Sequence, residues 1–312
     1  MEFFRIRRTI PFMKYSFILN MVSIISFLIA VVLLATRGLA FSIEFTGGTV
    51  MEVHYPEAAP TDAIRKDISD VFKWDASVQN FGTARDVVIR LPSVPGKASG
   101  EQANEVMQVL NKTVPEAALK RVEYVGPQVG EELAYDSATA LILVVIGIMV
   151  YLAFRFEWKF SVATIIANLH DIVLVLGLFS LFQWEFSLPV LAAVLAVLGY
   201  SVNESVIIFD RVREHFKTMR RASTVEVINS AITATISRTV ITHTSTLAMT
   251  LCMFFFGGPA LHYFALALTM GICFGVYSSI FVAAALAMYL HVTREDLVHT
   301  VKRDPVDEMA AP

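Results

Sequence analysis

Apolar residues gather along this 312-residue chain in six runs, at about 17–36, 137–154, 160–182, 188–209, 239–257 and 261–290. A helix rises about 1.5 Å per residue, and about 20 apolar residues cross the hydrocarbon of a bilayer. Each run is close to or beyond that length, and the last is long enough to tilt or to emerge from the membrane. One polar stretch, 37–136, separates the first run from the second; the other connections are short. The pattern predicts a polytopic α-helical membrane protein with six transmembrane helices and one large extramembrane domain. Its divisions are 1–36 (N-terminus and first helix), 37–136 (the domain), 137–292 (five helices with a loop at 210–237) and 293–312 (a tail).

The polar stretch has a periodicity of its own. Phe41–His54 alternates and reads as a strand. Thr61–Phe72 places Ile64, Ile68, Val71 and Phe72 at helical spacing. Ser77–Phe81 and Asp86–Leu91 read as strands around the Gly82 turn, Gly100–Val114 as an amphipathic helix, and Leu119–Val125 as a last strand. The order β-α-β-β-α-β predicts a ferredoxin-like α+β domain; a set of ligand-bearing loops is the alternative. Gly47 and Gly48 read as a tight turn or bulge. No Gly-Lys-Ser/Thr follows them, so they are not a phosphate loop.

Composition agrees with the membrane reading. The chain is 55% hydrophobic and 17% charged, with mean hydropathy +0.61; soluble proteins carry about 25% charged residues. The net charge of −3 gives no basis for nucleic-acid binding. Cys252 and Cys273 both lie in apolar runs, which predicts buried, inert thiols rather than a disulfide or zinc site. A signal peptide has an apolar core of about 7–15 residues; the first run is longer, so it is read as an uncleaved helix. Basic residues mark alternate connections: Arg5, Arg7, Arg8 and Lys14; Arg155 and Lys159; Arg211, Arg213, Lys217, Arg220 and Arg221; Arg294, Lys302 and Arg303. The turns Gln183–Ser187 and Gly257–His262 have none. The positive-inside rule then places both termini in the cytoplasm and the domain in a periplasm or cell exterior. Between the fourth and fifth runs, Ser223 and Glu226 fit a capping box. They open either an amphipathic helix lying on the cytoplasmic interface or the start of the fifth span.

Glu204 is the residue that most needs a reason. An ionisable group inside a spanning helix costs about 2.5–3.5 kcal/mol on insertion scales. It lies about 22 Å into the fourth span from Pro189. The fifth span begins near Arg238 and runs the other way, so both charges fall at similar depth. Burial disfavours a carboxylate and a nearby cation favours it, so such a group can exchange a proton as its partner moves. A static ion pair is the other reading. Asn203 and Ser205 flank Glu204, with Ser201 one turn back, and they either solvate a proton path or bond between helices. Asn168, His170 and Asp171 put three polar groups in the third span. His170 and Asp171 are a candidate proton relay or a helix-to-helix contact; as neighbours their side chains diverge by about 100°, which is poor spacing for a metal. His243 is a candidate second titrating group, and Thr242 and Ser245 share the face of Arg238. Asp210, Arg211, Arg213 and Glu214 mark the end of the fourth span, as anchors and local ion pairs. Gly271, Gly275 and Ser279 allow close helix approach. No nucleophile–base arrangement, cofactor motif or metal-ligand spacing is present in the sequence.

These motifs resemble the SecF family of the bacterial protein-export (Sec) translocase. The resemblance lies in Phe41-Ser-Ile-Glu-Phe-Thr-Gly-Gly-Thr49, Val125-Gly-Pro-Gln-Val-Gly130, Arg155-Phe-Glu-Trp-Lys-Phe160 with His170-Asp171, and Gly199-Tyr-Ser-Val-Asn-Glu-Ser205 with Phe209-Asp-Arg-Val-Arg-Glu214. Ser237-Arg-Thr239 and Phe256-Gly-Gly-Pro259 add to it. The resemblance implies six spans, one periplasmic domain and kinship to proton-driven resistance-nodulation-division transporters. It implies a SecD partner and assistance to the SecY channel in drawing preproteins across the inner membrane with the proton-motive force. It also implies that Glu204, where the family carries Asp, and Arg238 couple to protons, and that Glu44 stands at the usual Asp of the Gly-Gly turn. A lipid or small-molecule exporter and a non-conducting translocase scaffold are the competing readings.

Overall fold

A computed structural model of the chain describes residues 8–74, 76–94, 99–113 and 116–297. Arg5, Arg7, Lys302, Arg303 and most of the 293–312 tail lie outside the described residues. Among the described residues six helices are long and apolar enough to cross a membrane: span 1 (Phe12–Arg37), span 2 (Pro127–Arg155), span 3 (Trp158–Phe182), span 4 (Leu188–Thr218), span 5 (Thr224–Phe256) and span 6 (Pro259–Tyr289). Proline sits in the first turn of spans 2, 4 and 6, where its missing N–H would have no partner anyway.

Two expectations about helix boundaries change. Span 2 starts at Pro127, ten residues before its apolar run, so its first turns stand in the polar zone. The Ser223–Glu226 capping box is present, but it opens span 5 itself. One continuous helix runs from Thr224 to Phe256, so no separate interfacial helix exists there. Val227, Ile228, Ala231 and Ile232 pack into the core beside Val212 and Phe216 of span 4, and that packing carries the helix straight on. Span 6 is interrupted by a π-helical segment, Ser279–Ala283.

Spans 3, 4 and 6 make the centre of the bundle, with 56%, 50% and 61% of their most apolar stretches buried. Spans 1, 2 and 5 lie outside, at 11%, 6% and 17%; their apolar side chains face outward. Span 6 approaches span 4 closely. A Cβ on Gly271 would stand 2.2 Å from Val197, and one on Gly275 would stand 3.3 Å from Ser201. Cys252 and Cys273 are exposed on the bundle surface, correcting the expectation that they are buried. An apolar run does not say which of its faces looks outward.

The domain between spans 1 and 2 begins with a short strand β1 (Ala40–Phe41), then a helical turn at Ile43–Thr46. Strands β2 (Gly48–His54), β3 (Ser77–Phe81), β4 (Thr83–Leu91) and β5 (Ala118–Val125) form an antiparallel sheet in the order β3-β4-β2-β5. Helices Thr61–Phe72 and Ser99–Thr113 follow β2 and β4, giving the expected β-α-β-β-α-β order and the ferredoxin-like split fold. Met51, Val53, Ile89 and Leu91 of the sheet bury against Ile64, Ile68, Val106 and Leu110 of the helices. The expected strand over Phe41–His54 is broken at Ser42–Thr46, because Gly47 (φ +70°) and Gly48 (φ +134°) turn the chain where L side chains are disfavoured. A sixth strand, β6 (Glu185–Phe186), lies in the turn between spans 3 and 4 and pairs in parallel with β1.

Candidate functional site

Spans 4 and 5 run antiparallel and flank an open cavity of about 290 Å³, with Arg238 exposed at its edge. It is lined by Tyr200, Asn203, Glu204 and Ile207 of span 4 and by Arg238, Thr242, His243, Ser245 and Thr246 of span 5. Glu204 is buried, at 3% exposure. Its Oε1 accepts a hydrogen bond from the Thr239 hydroxyl, and Oε2 stands 4.0 Å from Nδ1 of His243. His243 Nδ1 lies 2.8 Å from the carbonyl of Thr239. A carbonyl only accepts, so Nδ1 carries the hydrogen and Nε2 has a free lone pair; Nε2 is buried without a partner. The imidazole meets the Tyr200 ring edge-on at 4.9 Å.

The structure places Glu204 and Arg238 on one cavity without joining them: among the described residues no ion pair involves Arg238. Thr239, one residue further, takes that position. The sequence signal for it is its place in the Ser237-Arg-Thr239 run, next to the residue that drew attention. A second recess of about 310 Å³ continues toward the helix end, lined by Ile207, Asp210, Arg211, Glu214, Ala234, Thr235 and Arg238. Ile207 and Arg238 belong to both recesses and stand between them. The polar lining thus extends from Glu204 past Arg238 to the charges at the end of span 4. There Arg155 holds Asp210 at 2.7 Å, Arg213 donates to Glu157 at 3.3 Å, and Arg211 pairs with Glu214.

Asn203 is exposed on the cavity wall. Ser205 turns away from it and bonds Ser279 of span 6 at 2.9 Å, as a residue about 100° round the helix from Glu204 must. His170 and Asp171 do not diverge as their adjacency suggested: His170 Nδ1 reaches Asp171 Oδ1 at 3.1 Å. Side-chain torsions here outweigh the backbone angle. Asp171 also accepts from Ser201 at 2.7 Å and Ser278 at 2.6 Å. This cluster lies between spans 3, 4 and 6, apart from the Glu204 cavity lining. Both amide atoms of Asn168 are buried without partners. No group of three His, Cys, Asp or Glu side chains suited to a metal occurs among the described residues.

Glu44 has a role that its sequence position did not disclose. Its Oε2 accepts from the backbone N–H of Leu188 at 2.6 Å, capping the first turn of span 4, where N–H groups lack intrahelical partners. Gly47 and Gly48 are forced to be glycine. A Cβ on Gly47 would stand 2.8 Å from Pro127 Cα, and one on Gly48 would stand 2.4 Å from the Leu91 carbonyl. Arg90 of β4 forks onto Glu185 through Nε (3.0 Å) and a second nitrogen. The Gly-Gly turn, β1 and Arg90 therefore tie the domain to the ends of spans 2 and 4.

Comparison with known proteins gives a consistent result. Residues 105–293 match the family model described as protein export membrane protein SecD/SecF, C-terminal, and residues 32–55 match that of the SecD/SecF GG motif. The chain is 42% identical to the protein translocase subunit SecF of Pseudomonas aeruginosa over 300 residues, covering 96% of this chain and 97% of that protein. It is 36% identical to the SecF of Escherichia coli O157:H7, covering 97% and 94%. Its fold matches the crystal structure of SecDF, a translocon-associated membrane protein from Thermus thermophilus, with a TM-score of 0.82 and 33% identity. That match covers 91% of this chain but only 39% of the SecDF chain. SecDF in a super-membrane-facing form matches with a TM-score of 0.69 and 32% identity, covering 92% and 39%.

Proposed function

Because the chain belongs to the SecF family of protein-translocase subunits, we propose that it couples the proton-motive force to late steps of preprotein translocation, with Glu204 as the proton-carrying group. A SecD-like subunit is its partner, the SecY channel complex its site of action, and a preprotein its substrate. It lies in the bacterial inner membrane with both termini cytoplasmic, as the alternation of basic residues supports.

One observation carries this reading. A buried carboxylate in a spanning helix opens on a polar cavity that also holds His243 and Arg238, and this cavity continues toward a charged helix end. Protonated, Glu204 is neutral and its burial costs little. Ionised, it is held by the Thr239 hydroxyl and attracted to Arg238 across the cavity. Alternation between the two states draws spans 4 and 5 together or lets them part. A proton crossing about 100 mV releases about 2.3 kcal/mol, which biases a two-state rearrangement by roughly 50-fold. That is ample for a rigid-body shift of the domain, which is tied to the first turn of span 4 through Glu44. The scaffold reading has one observation in its favour: Thr239 already satisfies Glu204 without movement.

Glu204→Gln separates them, since it keeps the shape and removes the charge. In inverted membrane vesicles it should leave assembly with the SecD-like partner intact and abolish stimulation of export by a proton gradient. Arg238→Met should act similarly, and Glu204→Asp should keep partial activity. Undiminished gradient-dependent export by Glu204→Gln would leave the scaffold reading in place.

A further inference from the structure

We propose that His170 and Asp171 form a second proton-holding site in the membrane region, separate from the Glu204 cavity and not dependent on its role. Asp171 is fully buried in span 3. Its Oδ2 accepts from Ser201 of span 4 and Ser278 of span 6, and its Oδ1 from His170 Nδ1. One carboxylate thus ties three spans together. No Lys or Arg touches it among the described residues. An ionised carboxylate buried without a cationic partner is costly, and the three hydrogen bonds offset only part of that cost, so the pair favours uptake of a balancing proton, on Asp171 or as the second proton of His170.

The port for that proton is Nε2 of His170. Nδ1 faces Asp171, and Nε2 is buried with no partner, leaving a basic nitrogen unused. The ring stacks with those of Phe27 and Tyr277, with centroids 6.4 Å apart in each case. The other titratable groups around the pair are committed elsewhere. The Tyr277 hydroxyl is bonded to Ser23 and the Leu19 carbonyl. Glu204 and Tyr200 of span 4 bond Thr239 and Thr246 of span 5. Cys273 of span 6 lies on the outer groove between spans 1 and 3. Span 1 offers Ser23 and Phe27, and span 2 packs with apolar residues such as Val144 and Ile148. The occupant is a proton rather than a metal ion, because three donors already direct hydrogens at the two carboxylate oxygens.

Protonation has a structural outlet. A neutral acid with its hydrogen on Oδ2 cannot accept from both serines. Ser278 has a second acceptor at hand, the Gly275 carbonyl at 3.3 Å. Ser278 is also the last residue before the π segment, a distortion found often at functional sites, and Ser279 bonds Ser205 of span 4. Adding the proton therefore loosens span 6 from span 3 at the point where span 6 is already irregular.

The test is infrared difference spectroscopy of the full chain in lipid nanodiscs across about pH 5–8, where histidine-linked groups titrate. The wild type and Glu204→Gln should both show a buried carboxyl C=O band that follows pH. Asp171→Asn should lose it, and in His170→Gln the band should cease to follow pH. Ser201→Ala, which removes one partner of Oδ2, should shift the band from its wild-type position; this variant decides the matter if Asp171→Asn does not fold. A band that is lost in Glu204→Gln but kept in Asp171→Asn, or that is unmoved by Ser201→Ala, overturns the proposal and leaves the Glu204 reading intact.

Discussion

Replacing Gly48 by alanine tests whether the Gly-Gly turn is a steric requirement. Gly48 has φ +134°, and a Cβ there would stand 2.4 Å from the Leu91 carbonyl oxygen. Leu91 is paired with Thr49, the next residue of β2, so the oxygen cannot retreat without disturbing the β2–β4 ladder. A non-glycine residue in this region of φ costs about 1–3 kcal/mol, and loss of a ladder hydrogen bond adds about 1 kcal/mol. The sum is roughly 2–4 kcal/mol, against about 5–15 kcal/mol for a whole domain. At about 4–8 °C per kcal/mol for a domain of this size, Gly48→Ala should lower the melting temperature by at least about 8 °C. The assay is thermal unfolding of residues 40–130 followed by circular dichroism, with the wild-type domain unfolding cooperatively. Gly47→Ala is the internal control. Its clash is with Pro127, at the start of span 2, so it should loosen the link to the membrane more than the sheet itself. A fall below about 3 °C for Gly48→Ala would refute the steric argument, and a non-cooperative wild-type transition would refute independent folding.

Three further outcomes are expected. A cysteine placed at exposed Ser69, in a Cys252→Ser, Cys273→Ser background, should react with an impermeant thiol reagent added outside intact spheroplasts; labelling only after lysis reverses the orientation. Lys120, Thr83 and His54 hold the Asp86 carboxyl below the usual carboxylate range. Asp86 therefore adds stability to the domain above the unfolded value near pH 4, and that stability is lost as pH falls through its lower folded value. Asp86→Asn should flatten the acid limb of the domain's denaturation curve, and an unchanged limb speaks against the pairing. Arg90→Ala breaks a charge-assisted fork worth about 1.5–3 kcal/mol and should speed proteolysis at the domain–membrane junction in the full chain, while lowering the melting of residues 40–130 only slightly through its weaker contact with Gln79.

The sequence alone determined the six spans, the single inserted domain and that domain's element order. These follow from local periodicity and from the length an apolar helix needs to cross hydrocarbon. It also singled out Glu204, because a charge is conspicuous against an apolar run. What surrounds that charge was beyond it. Arg238 stood out by its charge, yet Thr239 touches Glu204, because the rotation of span 5 is set by packing and not by its own sequence. Glu44 reads as part of a turn until span 4 is seen starting against it. Asp171 looked like half of an adjacent pair, and it became the tie of three helices only when Ser201 and Ser278 arrived from 30 and 107 residues away. The interfacial helix, one of the two readings after Ser223, failed for the same reason. Local pattern fixes which face of a segment is apolar, and only the assembled bundle decides what that face meets.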